Sequence, residues 1–261
     1  MKHLVNLLDL SVDEVHAILE RTATLKRECQ SGRRHPILAQ KILVQVFEKP
    51  SLRTRVSFEA AIQQLGGSGI FMSSKDAGLN GRETIEDVAR VLTSYSDVLV
   101  LRTFSHELIE QFAQHGKCPV VNGLSDVSHP CQALTDLFTM QEVCDGLEGR
   151  ALVYVGDGNN VAVSLAEACA MLGVRFIIGA PEGYQLPDEF FASLRKRFPK
   201  CSVSQTSDPR AAVKEADVIY TDVWASMGQE AEKEQRARDF ADYQVNGALL
   251  KAAPRRAKFM H

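Results

Sequence analysis

The sequence has no long apolar run: nothing in it approaches the ~18 consecutive apolar residues of a membrane span. Its opening residues, MKHLVNLLDLSVDEV, carry acidic side chains where a signal peptide needs an apolar stretch and a small-residue cleavage site. A soluble, non-exported protein with no membrane partner is expected. An excess of charge of one sign is missing too. With a formal net charge of −3 and a pI near 6.2, no dominant basic patch announces nucleic acid, so any anion must be met by a local cluster of cations. The six cysteines, Cys29, Cys118, Cys131, Cys144, Cys169 and Cys201, include no C-x-x-C pair. That spacing argues against a zinc site or a disulfide framework and fits the reduced thiols of a cytoplasmic protein; no metal is expected. There is no low-complexity segment and no repeat at a period of 20 to 50 residues, which excludes solenoids and propellers.

What is present is a rhythm. Short β-branched runs alternate with helical patterns: 41–47, 69–72, 97–102 and 119–123, then 151–156, 174–179 and 217–222. This alternation is the mark of parallel sheets with crossover helices. Between the fourth and fifth runs, Leu134, Leu137, Phe138, Met140 and Val143 form an apolar stripe at helical spacing, closed by Gly146 and Gly149. At 261 residues and 45% hydrophobic, the chain can bury two medium cores. The fold class expected is α/β, two doubly wound parallel-sheet domains joined by a bridging helix, with boundaries at 1–130, 131–149 and 150–261. The charged run 229–240 pairs Glu232 with Arg236 and Glu234 with Arg238 at i,i+4 and is read as a solvated helix face.

In open α/β sheets ligands bind beyond the carboxyl ends of the strands, so each strand end is a candidate site. After the first strand comes Lys49-Pro50-Ser51-Leu52-Arg53-Thr54-Arg55. A helix N-terminus there offers free N–H groups, and hydroxyls with guanidiniums beside it would complete a phosphate cradle. A surface arginine pair neutralised by neighbours is the plainer alternative. The third strand ends on Arg102, another cation, and His129-Pro130-Cys131-Gln132 opens the bridging helix. A histidine in front of a helix-starting proline, with a glutamine three residues on, can aim an imidazole and an amide into the site. A satisfied structural histidine is the alternative, and Cys131 reads as a small core residue.

In the second half, Gly156-Asp157-Gly158 matches the start of a dinucleotide fingerprint, but the third glycine and the acidic residue at the end of the next strand are both missing, so no nicotinamide cofactor is expected. Asn159 and Asn160 instead offer neutral donors and acceptors suited to the carboxylate and ammonium of an amino acid. Asp222 at the last strand end is a natural partner for an ammonium, with a turn or cap aspartate as the alternative.

Taken together, S-x-R-T-R at 51–55, H-P-x-Q at 129–132, G-D-G-N-N at 156–160 and D-x-x-x-S-M-G at 222–228 resemble the aspartate/ornithine carbamoyltransferase family over essentially the entire chain, the last motif looking like its ornithine-using branch. The resemblance implies that Ser51, Arg53, Thr54 and Arg55 grip the phosphate of carbamoyl phosphate. It implies further that Arg102, His129 and Gln132 meet the carbamoyl group, with Arg102, His129 and Thr54 catalytic. Asn160, Asp222, Ser226 and Met227 would hold L-ornithine, giving L-citrulline and phosphate. Residues 1–130 then become the carbamoyl-phosphate domain and 150–261 the ornithine domain. No cofactor is implied, and a homotrimer is. The family pattern continues past His261 with a Cys-Leu-Pro motif, so a truncated ornithine domain is expected. The alternatives are another acceptor (N-acylornithine, putrescine or aspartate) or a non-catalytic carbamoyl-phosphate-binding protein.

Overall fold

The computed structural model describes residues 2–79, 81–225 and 229–261, without the Glu230 side chain. It divides into two units, Met1–Cys131 and Gln132–His261.

In the first unit, α1 (Val12–Gln30) starts on a capping box between Ser11 and Glu14, two helix-end donors satisfied reciprocally. There follow β1 (Ile42–Phe47), α2 (Leu52–Gln64), β2 (Ser68–Ser73), α3 (Ile85–Tyr95), β3 (Val98–Arg102), α4 (His106–His115) and β4 (Val120–Leu124). All neighbouring strands pair parallel, in the order β2-β1-β3-β4. The sheet is covered on both faces, which is why β1 reads as an apolar run, broken only at Gln45, rather than an alternation. Val44 and Val46 face one cluster with Leu99, Leu101 and Phe112, while Leu43 and Phe47 face another with Ile62 and Val100. The chain leaves β1 toward β2 and then crosses back to β3, so the topological switch point lies between β1 and β3.

Helix α5 (Pro130–Cys144) carries the division between the units, and Leu134, Leu137, Phe138 and Met140 of its stripe are buried. Val143, assigned to that stripe from spacing, is 45% exposed: it falls in the last turn, where the apolar face has run out.

The second unit continues with β5 (Ala151–Val155), α6 (Asn160–Leu172), β6 (Arg175–Gly179), α7 (Asp188–Arg197), β7 (Val203–Thr206), α8 (Pro209–Val213), β8 (Val218–Tyr220), α9 (Lys233–Asp239), α10 (Gly247–Leu250) and β9 (Lys258–Met260). Its strands are also parallel, in the order β7-β6-β5-β8-β9, with the switch between β5 and β8. Strand β7 is absent from the sequence reading. It is a four-residue edge strand, Val-Ser-Gln-Thr, in which only Val203 is buried. The expectation for the charged run 229–240 also needs correction. Arg236 is buried, and Arg238 bonds Gln235 rather than Glu234.

Candidate active site

At the switch point of the first sheet, the turn after β1 places Ser51 as the N-cap of α2. Its Oγ accepts from the Thr54 amide (3.3 Å) and donates to Thr54 Oγ1 (2.9 Å). Both hydroxyls thus stand at the positive end of a 13-residue helix. Arg102, opposite Phe47 in register, ends β3. It is 8% exposed, its Nε has no hydrogen-bond partner, and among the described residues no carboxylate pairs with it. Burying a guanidinium without a counter-charge is costly. Burial, and then the charge of Arg53, push its pKa down. Lys49 is buried as well, its Nζ 4.2 Å from the centre of the Phe104 ring, and burial followed by Arg102 lowers its pKa. Arg53 is exposed. Three cations therefore crowd one strand-end corner, where the charge of Arg53 works against that of Arg102 and the charge of Arg102 against that of Lys49.

His129 joins them. A buried turn, in which Ser128 N–H donates to Ser125 Oγ (3.1 Å) and Asn122 Nδ2 donates to the Val5 carbonyl (2.9 Å), delivers it to the head of α5. Burial and the nearby Arg102 charge hold its pKa down at about 3, so the ring is neutral at physiological pH. Arg55 departs from the arrangement: its Nε donates to Glu59 (3.0 Å) and its guanidinium lies 3.8 Å from the Phe71 ring centre. Cys131, where burial pushes the thiol up to about 12, is an unreactive thiol.

In the second unit the residues around the β5/β8 switch are acidic. Gln132 Nε2 donates to Asp136 Oδ1 (3.0 Å) on the next turn of α5. Burial raises Asp136 to about 6, and the negative charge of Asp222 adds to the shift. Tyr154 and Tyr220 stack beside them with centroids 5.8 Å apart. The glycines of the 156–160 turn have structural reasons. Gly156 has φ 151°, and a Cβ on Gly158 would come within 2.8 Å of the Tyr184 carbonyl, so this turn packs closely against backbone. Asn159 caps α6, accepting from Val161 and Ala162 N–H, which leaves Asn160, at the first helical position, as the asparagine beyond the cap. Asp222 follows β8 by two residues and is half-buried. Ser226 and Met227 lie outside the described residues.

Sequence reasoning passed over Lys49, Asp136, Asp157 and Arg236. For Lys49 a signal existed, its place immediately after a strand end and before a proline. Asp136 was readable only as the residue one helical turn beyond Gln132.

Each of the two all-parallel α/β units thus has its own charge at its switch point: Arg102 and Lys49, without an ion-pair partner among the described residues, in the first, and the carboxylates Asp136, Asp157 and Asp222 in the second. Residues 2–142 match the carbamoyl-phosphate-binding domain model of the aspartate/ornithine carbamoyltransferases, and residues 148–261 match the aspartate/ornithine-binding domain model. The chain belongs to the aspartate/ornithine carbamoyltransferase family. It is 47% identical to the ornithine carbamoyltransferase of Bacillus subtilis over 263 aligned residues, covering all of this chain and 81% of that one. Among solved structures, the ornithine carbamoyltransferase from Pyrococcus furiosus superposes with a TM-score of 0.95 at 44% identity, and that from Thermus thermophilus with 0.88 at 40%. Each alignment covers all of this chain, with 84% and 85% of the respective relatives.

Proposed function

We propose that the chain transfers the carbamoyl group of carbamoyl phosphate to the δ-amine of L-ornithine, giving L-citrulline and phosphate. The observation that carries this reading is the buried Arg102, without a counter-ion among the described residues, beside Arg53 and Lys49. Ser51, Arg53 and Thr54 take the phosphate; Arg55, held by Glu59 and Phe71, supports α2 instead. Arg102, His129 and Gln132 take the carbamoyl group. Asn160, Asp222, Ser226 and Met227 take ornithine, the carboxylate of Asp222 meeting the α-ammonium.

No enzyme nucleophile is needed. An alkyl amine of pKa ~10.4 must be neutral to attack, at a cost of roughly 4 to 5 kcal/mol at pH 7. Placing Asp222 at the α-ammonium keeps a carboxylate away from the δ-nitrogen, where it would raise that cost. Attack on the carbonyl carbon moves charge onto its oxygen, where Arg102 and the Thr54 hydroxyl donate, each worth about 3 to 4 kcal/mol. His129, its pKa held at about 3, acts as a neutral hydrogen-bonding group rather than a proton donor. The departing phosphate accepts the proton that the amine loses.

Aspartate as acceptor would require a free cation in the second unit for its extra carboxylate. Arg236, the buried cation there, is already bound to Asp157 and Glu232. The exposed apolar residues Leu52, Val56 and Ile70, on α2 and the edge strand β2, fit a surface that a second copy covers, in keeping with a homotrimer. Six free cysteines suit a cytoplasmic location.

Calorimetric titration tests the assignment. Arg53→Ala should abolish carbamoyl phosphate binding, while Asp222→Ala should keep it and lose ornithine. Equal losses of both ligands in both variants would overturn the division of labour.

A further inference from the structure

Arg236 makes three hydrogen bonds in the second unit, and nothing in the proposed chemistry uses it. It projects from α9 and is buried. Its Nη1 donates to Asp157 Oδ2 (2.8 Å) and to the Trp224 carbonyl (3.0 Å), and its Nε donates to Glu232 Oε2 (2.8 Å). The guanidinium also lies 5.0 Å from the Tyr184 ring centre. Two carboxylates hold its pKa above the ordinary value against burial, whereas burial raises Asp157 in spite of the pairing.

The two ends of this grip are informative. Asp157 lies in the turn after β5, three residues before Asn160; Trp224 lies two residues after Asp222, beyond β8. Gly158 N–H donates to the Tyr184 carbonyl (2.8 Å), and both Tyr184 and Trp224 pack on Phe240 (4.7 and 5.8 Å between ring centres), so the two segments are clamped along their length. These are the segments that flank the sheet's switch point.

We propose that Arg236 is a positioning residue for the amino-acid substrate: with Nε fixed on Glu232, the two N–H bonds of its Nη1 hold Asp157 and the Trp224 carbonyl, and so set the spacing between the strand-end segments that carry Asn160 and Asp222. This rests on the ornithine site proposed above. A planar guanidinium anchored through Nε fixes the directions of the Nη1 N–H bonds, which an ammonium on a flexible stem does not do.

The test is Arg236→Lys, which keeps the charge and loses the planar guanidinium. Misplacing a substrate-holding group by about an ångström costs up to ~100-fold, so the expected result is an ornithine KM raised about tenfold or more, with kcat at saturating ornithine within about threefold and carbamoyl phosphate affinity unmoved. Glu232→Ala removes one contact from an exposed partner and should raise the ornithine KM about threefold in a protein that folds. If Arg236 merely tied α9 to the core, melting temperature would fall while the ornithine KM stayed put. That result in folded Arg236→Lys, or in Glu232→Ala should the first variant not fold, overturns the proposal. So does carbamoyl phosphate affinity falling in step with ornithine affinity. A wild-type chain that forms no citrulline overturns the functional reading itself, and this inference with it.

Discussion

Gln45 is the least explained side chain of the first unit, and its replacement should make the protein more stable. It is fully buried at the centre of β1, between Leu43 and Phe47 on the same face, with Phe71 and Val100 opposite it in register on the two neighbouring strands. Those four residues belong to one apolar cluster beneath Ile62 and Phe58 of α2, and neither Nε2 nor Oε1 of the amide has a hydrogen-bond partner. A buried polar group left unpaired costs about 1 to 3 kcal/mol, which an apolar side chain of similar shape recovers. Methionine follows the same unbranched path and fills irregular space readily. Gln45→Met should therefore stabilise by about 1 to 3 kcal/mol, seen in urea unfolding as a higher midpoint at unchanged slope, and as a rise in Tm of roughly 3 to 10 °C. Gln45→Glu is the opposing control: its carboxyl, buried in the same place, would have a raised pKa, so stability should fall as pH rises through that value. A neutral or destabilising Gln45→Met, together with a pH-independent Gln45→Glu, would show that the amide has a partner or a polar environment there and would refute the reasoning.

Inorganic phosphate should stabilise the wild type by about 1.4 kcal/mol at ten times its Kd, measured by thermal shift, and Arg53→Ala should abolish the effect. Gly158→Ala drives a Cβ to within 2.8 Å of the Tyr184 carbonyl and should cost about 1 to 3 kcal/mol in urea unfolding, the price of displacing backbone rather than a flexible side chain. His129 and Asp136 oppose each other in their effect on acid stability. His129, lowered from 6.5 to about 3, takes up its proton more readily unfolded, so its contribution is lost as pH falls from 6.5 toward 3; Asp136, raised from 3.8 to about 6, binds its proton more readily folded, so its contribution is lost as pH rises from 3.8 through 6. Between pH 4 and 6, Asp136→Asn should therefore steepen the loss of stability on acidification and His129→Asn should lessen it, each by up to about 1.4 kcal/mol per pH unit. Difference curves against wild type that stay flat would refute both assignments.

The fold was legible because its signals are local and repeated. Seven β-branched runs coincide with observed strands, since buried parallel strands are apolar on both faces. Strand β7 was not legible because an edge strand with one buried residue has no such run. A candidate anion site was readable from residue types at the strand ends, Ser51, Arg53, Thr54 and Arg102, and the structure gathers cations there. Whether an arginine in that motif faces a ligand was not. Arg53 and Arg55 are one residue apart on a helix and so point in different directions, and Arg55 finds Glu59 one turn along and Phe71 on the neighbouring strand. The same limit produced the error over 229–240. Glu232 and Arg236 at i,i+4 spell a surface pair, but the partner that buries Arg236 is Asp157, 79 residues away.

Charge is distributed in opposite ways in the two units, and the contrast makes the case for two different half-reactants. Where Arg102 ends β3, burial and then Arg53 disfavour the charge on Arg102, burial and then Arg102 disfavour that on Lys49 against a partial offset from Asp126 and Glu48, and neither has an ion-pair partner among the described residues, an arrangement that a dianion would relieve. Near Asp222, burial and then Asp222 itself raise the pKa of Asp136, an arrangement that an ammonium would relieve, while Asp157 is already met by Arg236. If the polarity were only a by-product of folding, the unfavourable groups would have been paired within the chain, as Arg236 is. Among the described residues Arg102 has no carboxylate partner, and the raised Asp136 carboxyl has Gln132 and Tyr220 as hydrogen-bond partners and no cation, so the two proposed half-sites differ in the sign of the charge they leave unmatched.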